Sequence, residues 1–189
     1  MKTDIILSGV GGQGILSIAT VIGQAALANN LYIKQAEVHG MSQRGGDVQS
    51  NLRISDQPIA SDLIALGQAD VIISMEPLEA LRYLPYLSKD GWIISSADPF
   101  VNIPNYPDIE SVLAALRAHG NVKLIELDKI AKENNIARSA NMILLGATAE
   151  FLGLGFEAIA DSVRTVFGSK SEAVVEMNLR AIEIGRSFK

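Results

Sequence analysis

The chain has 189 residues, 48% hydrophobic and 20% charged, with a formal net charge of −5, which suits one folded domain with a substantial core over residues 1–189. The acidic balance and the lack of a Lys/Arg run exclude an electrostatic footprint for nucleic acid or an anionic membrane, and no stretch reaches the roughly 18 apolar residues of a membrane span. Cysteine is absent; disulfides, thiolate nucleophiles and iron–sulfur clusters held on this chain's own sulfur are thereby excluded.

Only His39 and His119 represent histidine, and no His-x-x-x-His spacing occurs, so no metal site is expected. The amino terminus has a polar start and a short apolar strand in place of a signal-peptide core, and the expected location is the cytoplasm.

The first element is an apolar strand, Asp4 to Leu7, which runs through Ser8 into Gly9-Val10-Gly11-Gly12-Gln13-Gly14. Ile15, Ile18, Ala19, Ile22, Ala25 and Ala26 then recur at three- and four-residue intervals, predicting a helix through about Ala28 that Asn29-Asn30 ends. A glycine turn between a strand and a helix is the setting of the dinucleotide fingerprint, because glycine permits close backbone approach and a helix N-terminus favours a phosphate. Gly9, Gly11, Gly12, Gln13 and Gly14 are therefore candidate cofactor-binding residues. The same residues also suit a turn that only lets the first strand and helix pack closely.

A second strand is expected within Leu31 to Val38. Val48, Ser50, Leu52 and Ile54 alternate as a strand with one wet face would. Between them lies His39-Gly40-Met41-Ser42-Gln43-Arg44-Gly45-Gly46-Asp47, too polar and glycine-rich for a core. Its donors, above all the charged fork of Arg44, suit a carboxylate or phosphate. The alternative is a wide hairpin-like connection whose polar groups satisfy one another. A dinucleotide enzyme would also want an acidic residue about 20 positions past the glycines, and Glu37 stands near that distance. The chain then enters the polar loop where the simple fold would start another helix, which counts against plain NAD binding.

Val71-Ile72-Ile73, Trp92-Ile93-Ile94 and Val122 to Ile125 read as strands covered on both faces. Helical spacing covers Glu76 to Leu87, with Pro77 early, and Ile109 to His119. Pro99 to Pro107 reads as a surface connection. From Leu127 onward the chain reads as helical, with Asp128 and Ser139 as caps, a break at Phe151 to Gly155, and a last helix from about Ser171 to Gly185. Tyr83, Tyr86 and Trp92 are read as core or interface aromatics. The expected fold is α/β: a Rossmann-like three-layer sandwich with a largely parallel sheet and a helical C-terminal region, its strand ends and glycine turn on one edge.

Three segments carry a family resemblance: Gly9 to Gly14, Glu37 through Gly46, and Ser139-Ala140-Asn141-Met142-Ile143-Leu144-Leu145-Gly146. They resemble the gamma-type subunit of 2-oxoacid:ferredoxin oxidoreductases over nearly the whole chain. The His-Gly-Met-Ser-Gln-Arg-Gly-Gly form is most like the small, beta subunit of indolepyruvate:ferredoxin oxidoreductase, since other branches usually lack the His-Gly-Met lead. The resemblance implies a non-catalytic small subunit with no cofactor of its own. A large partner subunit would carry thiamine diphosphate and iron–sulfur clusters, pass electrons to ferredoxin, and use coenzyme A as co-substrate. It further implies that His39, Ser42, Gln43, Arg44, Gly45 and Gly46 face the substrate or coenzyme A cleft. Two other readings stay open, a stand-alone NAD(P)- or flavin-binding Rossmann oxidoreductase and a pure interaction module.

Overall fold

Apolar, β-branched runs separated by turn residues build a six-stranded sheet among the described residues. The computed structural model describes residues 1–40 and 45–188, with the backbone alone for His39; Met41, Ser42, Gln43, Arg44 and Lys189 lie outside the described residues. The strands are β1 (Lys2–Val10), β2 (Tyr32–His39), β3 (Asp47–Ser55), β4 (Ala69–Ser74), β5 (Leu87–Ser96) and β6 (Val122–Ile125), in spatial order β2-β3-β1-β4-β5-β6. β3 runs antiparallel to both neighbours, while β1, β4, β5 and β6 pair in parallel.

Helices cover both faces, as a parallel sheet requires. On one face α1 (Ile15–Ala28), α4 (Leu127–Glu133), α5 (Ala140–Thr148), α6 (Phe156–Phe167) and α7 (Glu172–Arg186) pack against Ile5, Leu7, Val71, Ile73 and Ile94. The other face, with Ile6, Ile72 and Ile93, meets α2 (Pro77–Arg82) and α3 (Ile109–Arg117). The expected three-layer α/β architecture with its helical C-terminal region is thus present. No helix among the described residues is long and apolar enough to cross a membrane.

α5 and α7 cross with their backbones in contact. A Cβ at Gly146 would stand 2.1 Å from the Ile182 carbonyl oxygen, and one at Gly185 would stand 1.9 Å from that of Ile143, so both positions require glycine.

Several local expectations need correction. The period-two pattern of β3 predicts a wet face, yet Gln49, Asn51 and Ser55 on that face are buried. The segment after β3 folds over them: Asn51 Oδ1 accepts the Ile64 N–H at 3.1 Å, and Arg53 donates to the Ser61 and Leu63 carbonyls at 3.0 and 3.1 Å. Arg53 also clamps the fully buried Asp4 through Nε to Oδ1 at 2.8 Å and Nη2 to Oδ2 at 3.0 Å, which compensates a carboxylate held away from water. Polarity there marks a satisfied interior, not solvent.

The helix expected over Glu76 to Leu87 ends at Arg82 and gives way to a 3₁₀ turn, Leu84–Tyr86, around Pro85, after which β5 begins at Leu87. Proline removes a helix-continuing N–H and clashes with the preceding turn. Asp128 does not cap α4; Glu126 holds that position. Ser139 stands at the start of α5, but its hydroxyl donates to Asn178 Oδ1 on α7 at 2.8 Å instead of capping.

Candidate functional site

β1 sends its helix to one face and β4 sends its helix to the other, which opens a crevice at the carboxyl ends of these neighbouring strands. The glycine turn fills the floor of that crevice. Gly14 adopts φ +80° at the start of α1, a conformation L side chains rarely take. The amides of Gly12, Gly14, Ile15 and Leu16 have no protein acceptor among the described residues, so the N-terminus of α1 presents donors outward.

The five turn residues divide by role. Gly9 makes room, since a Cβ there would lie 2.9 Å from Gln13 Oε1 and 3.0 Å from Ile15. The Gln13 side chain is spent inside the fold: its Oε1 accepts the Val10 N–H at 2.7 Å and its Nε2 donates to the Met75 carbonyl at 3.2 Å, tying β1 to the segment after β4. Gly12 and Gly14 line open space, and Asn141 from α5 donates to the Gly14 carbonyl at 3.1 Å.

The described ends of the polar segment, Gly40 and Gly45 to Asp47, stand at the same edge because β2 and β3 pair antiparallel, with Gly40 N–H donating to the Asp47 carbonyl at 3.0 Å. The Gly11 amide donates to the Gly46 carbonyl at 2.8 Å, so the two motifs meet through their backbones. Gly45 takes φ +75°, and Asn102 Nδ2 donates to its carbonyl at 2.5 Å. The His39 backbone is level with Gly9 across β3. Ser42, Gln43 and Arg44 lie outside the described residues.

Glu37 is not brought to the crevice. β3 separates β2 from β1, which puts Glu37 two strand spacings, about 9.6 Å, from β1 and in register with Leu7, short of the carboxyl end. A ribose held beside the glycine turn would be out of its line, and this removes the main support for a plain dinucleotide site.

Among the described residues, Gly12, Gln13, Asn141 and Arg138 together line two cavities. One, of about 500 Å³, is also lined by Asp98 and Asp128. Burial and the neighbouring Asp98 charge push the Asp128 carboxyl above its usual range. The other, of about 410 Å³, carries Arg138 and Lys170 and no carboxylate in its lining. An anion at the α1 N-terminus therefore favours the second cavity. Arg138 and Lys170 escape a reading of the sequence because neither belongs to a recurrent pattern; the fold brings them from the 3₁₀ turn before α5 and from the bend between α6 and α7.

On the far side of the hairpin lies a network of acids and tyrosines. Glu76, 1% exposed, caps α2 by accepting the Glu79 N–H at 2.8 Å. Its other oxygen accepts the Tyr106 hydroxyl and, at 3.3 Å, the Phe100 N–H. The Tyr83 hydroxyl donates to both Asp47 oxygens at 2.9 Å, and burial together with that hydrogen bond pushes its phenol well above the ordinary range. Burial raises Glu79 also, against the opposing pull of Arg82, whose Nε donates to it at 2.8 Å. The Pro99 to Pro107 connection is thus more than a surface link, since Phe100, Asn102 and Tyr106 fasten the crevice and the hairpin together. Tyr83 likewise reaches the hairpin base from the core, and Trp92 lines a separate cavity.

Among the described residues no group of three or more His, Asp or Glu gathers as a metal site would require.

The family model described as pyruvate ferredoxin/flavodoxin oxidoreductase matches residues 4–188. The indolepyruvate oxidoreductase subunit IorB of Pyrococcus horikoshii is 36% identical over 191 residues, covering 96% of this chain and 93% of the relative. The 2-oxoglutarate:ferredoxin oxidoreductase from Magnetococcus marinus, solved with 2-oxoglutarate, coenzyme A and succinyl-CoA bound, has a similar fold at TM-score 0.78 and 22% identity. That match covers 99% of this chain and 31% of the other. The gamma subunit of a keto/oxoacid ferredoxin oxidoreductase from Geobacter sulfurreducens PCA matches at TM-score 0.70 and 24% identity, covering 97% and 95% of the two chains.

Proposed function

Because the chain belongs to the pyruvate ferredoxin/flavodoxin oxidoreductase family, we propose that it is the small subunit of a cytoplasmic 2-oxoacid:ferredoxin oxidoreductase acting on indolepyruvate or a related aryl pyruvate. Thiamine diphosphate and iron–sulfur clusters on a large partner subunit supply the decarboxylation and the electron transfer to ferredoxin, and coenzyme A accepts the acyl group. Cysteine is absent from the sequence, so this chain has no thiolates for a cluster and contributes binding surface instead.

The observation that carries the reading is the junction of the two motifs, Gly11 N–H to the Gly46 carbonyl at 2.8 Å, which joins the glycine turn and the polar hairpin into one crevice. Within it, the outward amides of the turn, with Arg138 and Lys170 beside them, form the seat for a phosphate of coenzyme A. His39, Ser42, Gln43, Arg44, Gly45 and Gly46 wall the substrate side, with Arg44 pairing the carboxylate or phosphate. Phe100, Val101 and Ile103, all exposed, follow one another on the loop that holds the hairpin and give the crevice an apolar rim for the partner subunit to cover. The 31% coverage of the Magnetococcus chain supports this, because there the same fold is one part of a longer polypeptide.

The test is to co-express the tagged chain with its large subunit, purify the complex, and follow dye reduction with indolepyruvate and coenzyme A. Arg44→Ala should raise the apparent KM for coenzyme A or the 2-oxoacid by at least about tenfold. Unchanged kinetics in an intact complex would refute the role of Arg44. A chain that purifies alone and turns over a nicotinamide or flavin would refute the whole reading.

A further inference from the structure

A cavity of about 630 Å³ lies away from the glycine turn, on the face of α5, α6 and α7, where Trp92 of β5 is in register with Ile5 near the start of β1. That row is four residues, about 13 Å along the strand, from the row of Gly9. Four aromatic rings stand in its walls: Trp92 and Phe151, with centroids 4.8 Å apart at 39°, and Phe156 and Phe188.

Among the described residues two cations border this cavity, and they differ in their partners. Lys123 is paired, donating to Glu150 at 2.5 Å and to the Phe188 carbonyl at 3.3 Å. Arg186 lies over the Phe156 ring at 4.2 Å and has no carboxylate partner among the described residues. We propose that this cavity is a second binding site, for a small aromatic monocarboxylate. The ring stacks beside Trp92 and Phe151 while the carboxylate takes the fork of Arg186.

The volume falls in the range of small-molecule sites, and a mostly apolar wall with one directional charge is how such sites fix orientation. The observations also select the charge state. A neutral ring would leave the guanidinium without its anion, whereas a doubly charged phosphate would bring its second charge towards Glu150. The site stands independently of the crevice, so its failure and that of the proposed function are separable.

Trp92 is the chain's single tryptophan, and its emission therefore reports on this cavity alone. Phenylacetate titrated into the full chain should give a saturable change in Trp92 fluorescence. Phenylacetamide, which keeps the ring and lacks the charge, should bind at least about tenfold more weakly, and Arg186→Gln should cost phenylacetate the same factor. Arg186→Lys, which keeps the cation and loses the planar fork, should recover only part of the affinity that Arg186→Gln loses. A response that never saturates, or equal affinity for phenylacetate in Arg186→Gln, would overturn the assignment.

Discussion

Replacing Gln13 with Ala tests whether the glycine turn is held by the protein or by a ligand. The side chain accepts from Val10, a residue 3% exposed, and donates to the carbonyl of Met75, 8% exposed. Truncation leaves a buried N–H without an acceptor, which costs about 1–3 kcal/mol, while the Met75 carbonyl loses a single long hydrogen bond and adds little. A total near 2 kcal/mol should lower Tm by about 4–8 °C in a chain of this size. Thermal unfolding of the full chain, with and without coenzyme A, measures it. Gln13→Ala should be destabilised yet still gain stability from coenzyme A through the backbone amides; Gln13→Glu should lose that gain, because it adds a negative charge to the lining of the cavity proposed to seat the anion. A Tm shift below about 1 °C in Gln13→Ala, together with loss of the coenzyme A effect, would mean that the side chain serves the ligand and not the fold.

Gly14→Ala combines a φ of +80° with a Cβ 2.6 Å from Asn141 Nδ2; denaturant unfolding should show a loss of about 2 kcal/mol or more, and coenzyme A binding should weaken. Gly146→Ala forces α5 away from α7 and should cost about 3 kcal/mol or more, read by the same unfolding curve. Arg53→Met strands the buried Asp4 beside Lys2 alone and should cost about 3 kcal/mol, with partial recovery in the double variant Asp4→Asn/Arg53→Met. Tyr83 and Tyr106 are both raised in the folded chain, by burial first and then by their carboxylate acceptors. Unfolded tyrosine holds its proton less tightly, so the stability they contribute is whole below about pH 10 and is lost as pH rises beyond it. An ultraviolet titration of the folded chain should show these two of the four tyrosines ionising last; all four titrating together would contradict the network.

Much of the architecture was legible because it depends on local pattern. The bounds of α1, read from the spacing of Ile15, Ile18 and Ile22, agree with the structure, and so do the short apolar runs that became β4 and β6. The reading fails where the cause is tertiary. Alternation along β3 follows the two faces of any strand, and only the segment that folds over Asn51 and Arg53 makes the polar face an interior. At the site, both glycine-bearing motifs were legible, since glycine is what a sharp backbone path demands. Arg138, Lys170, Asn102 and Glu76 were not, because each acts at a distance in sequence that no period encodes. Gln13 carried the opposite ambiguity: a polar residue amid glycines reads as a ligand contact, and here its side chain is a strut.

The insertion of β3 explains why a glycine turn of dinucleotide type sits in a chain with another task. In the simple fold the strand after α1 lies beside β1, and its carboxyl end supplies the group that holds a ribose. Here that strand is displaced by one position, and Glu37 moves with it. Gly45 and Gly46, just before β3, meet Gly11 through their backbones, so they border the space beside the glycine turn that an adenosine would occupy. The outward amides of an anion seat remain at the α1 N-terminus, whereas the acidic residue that would hold a ribose is carried away on β2. A phosphate seated there, as proposed, would be met beyond the turn by the described base of the hairpin and by whatever covers the exposed Phe100, Val101 and Ile103 rim. That geometry suits a subunit that completes a cleft with a partner better than an enzyme that encloses its cofactor alone.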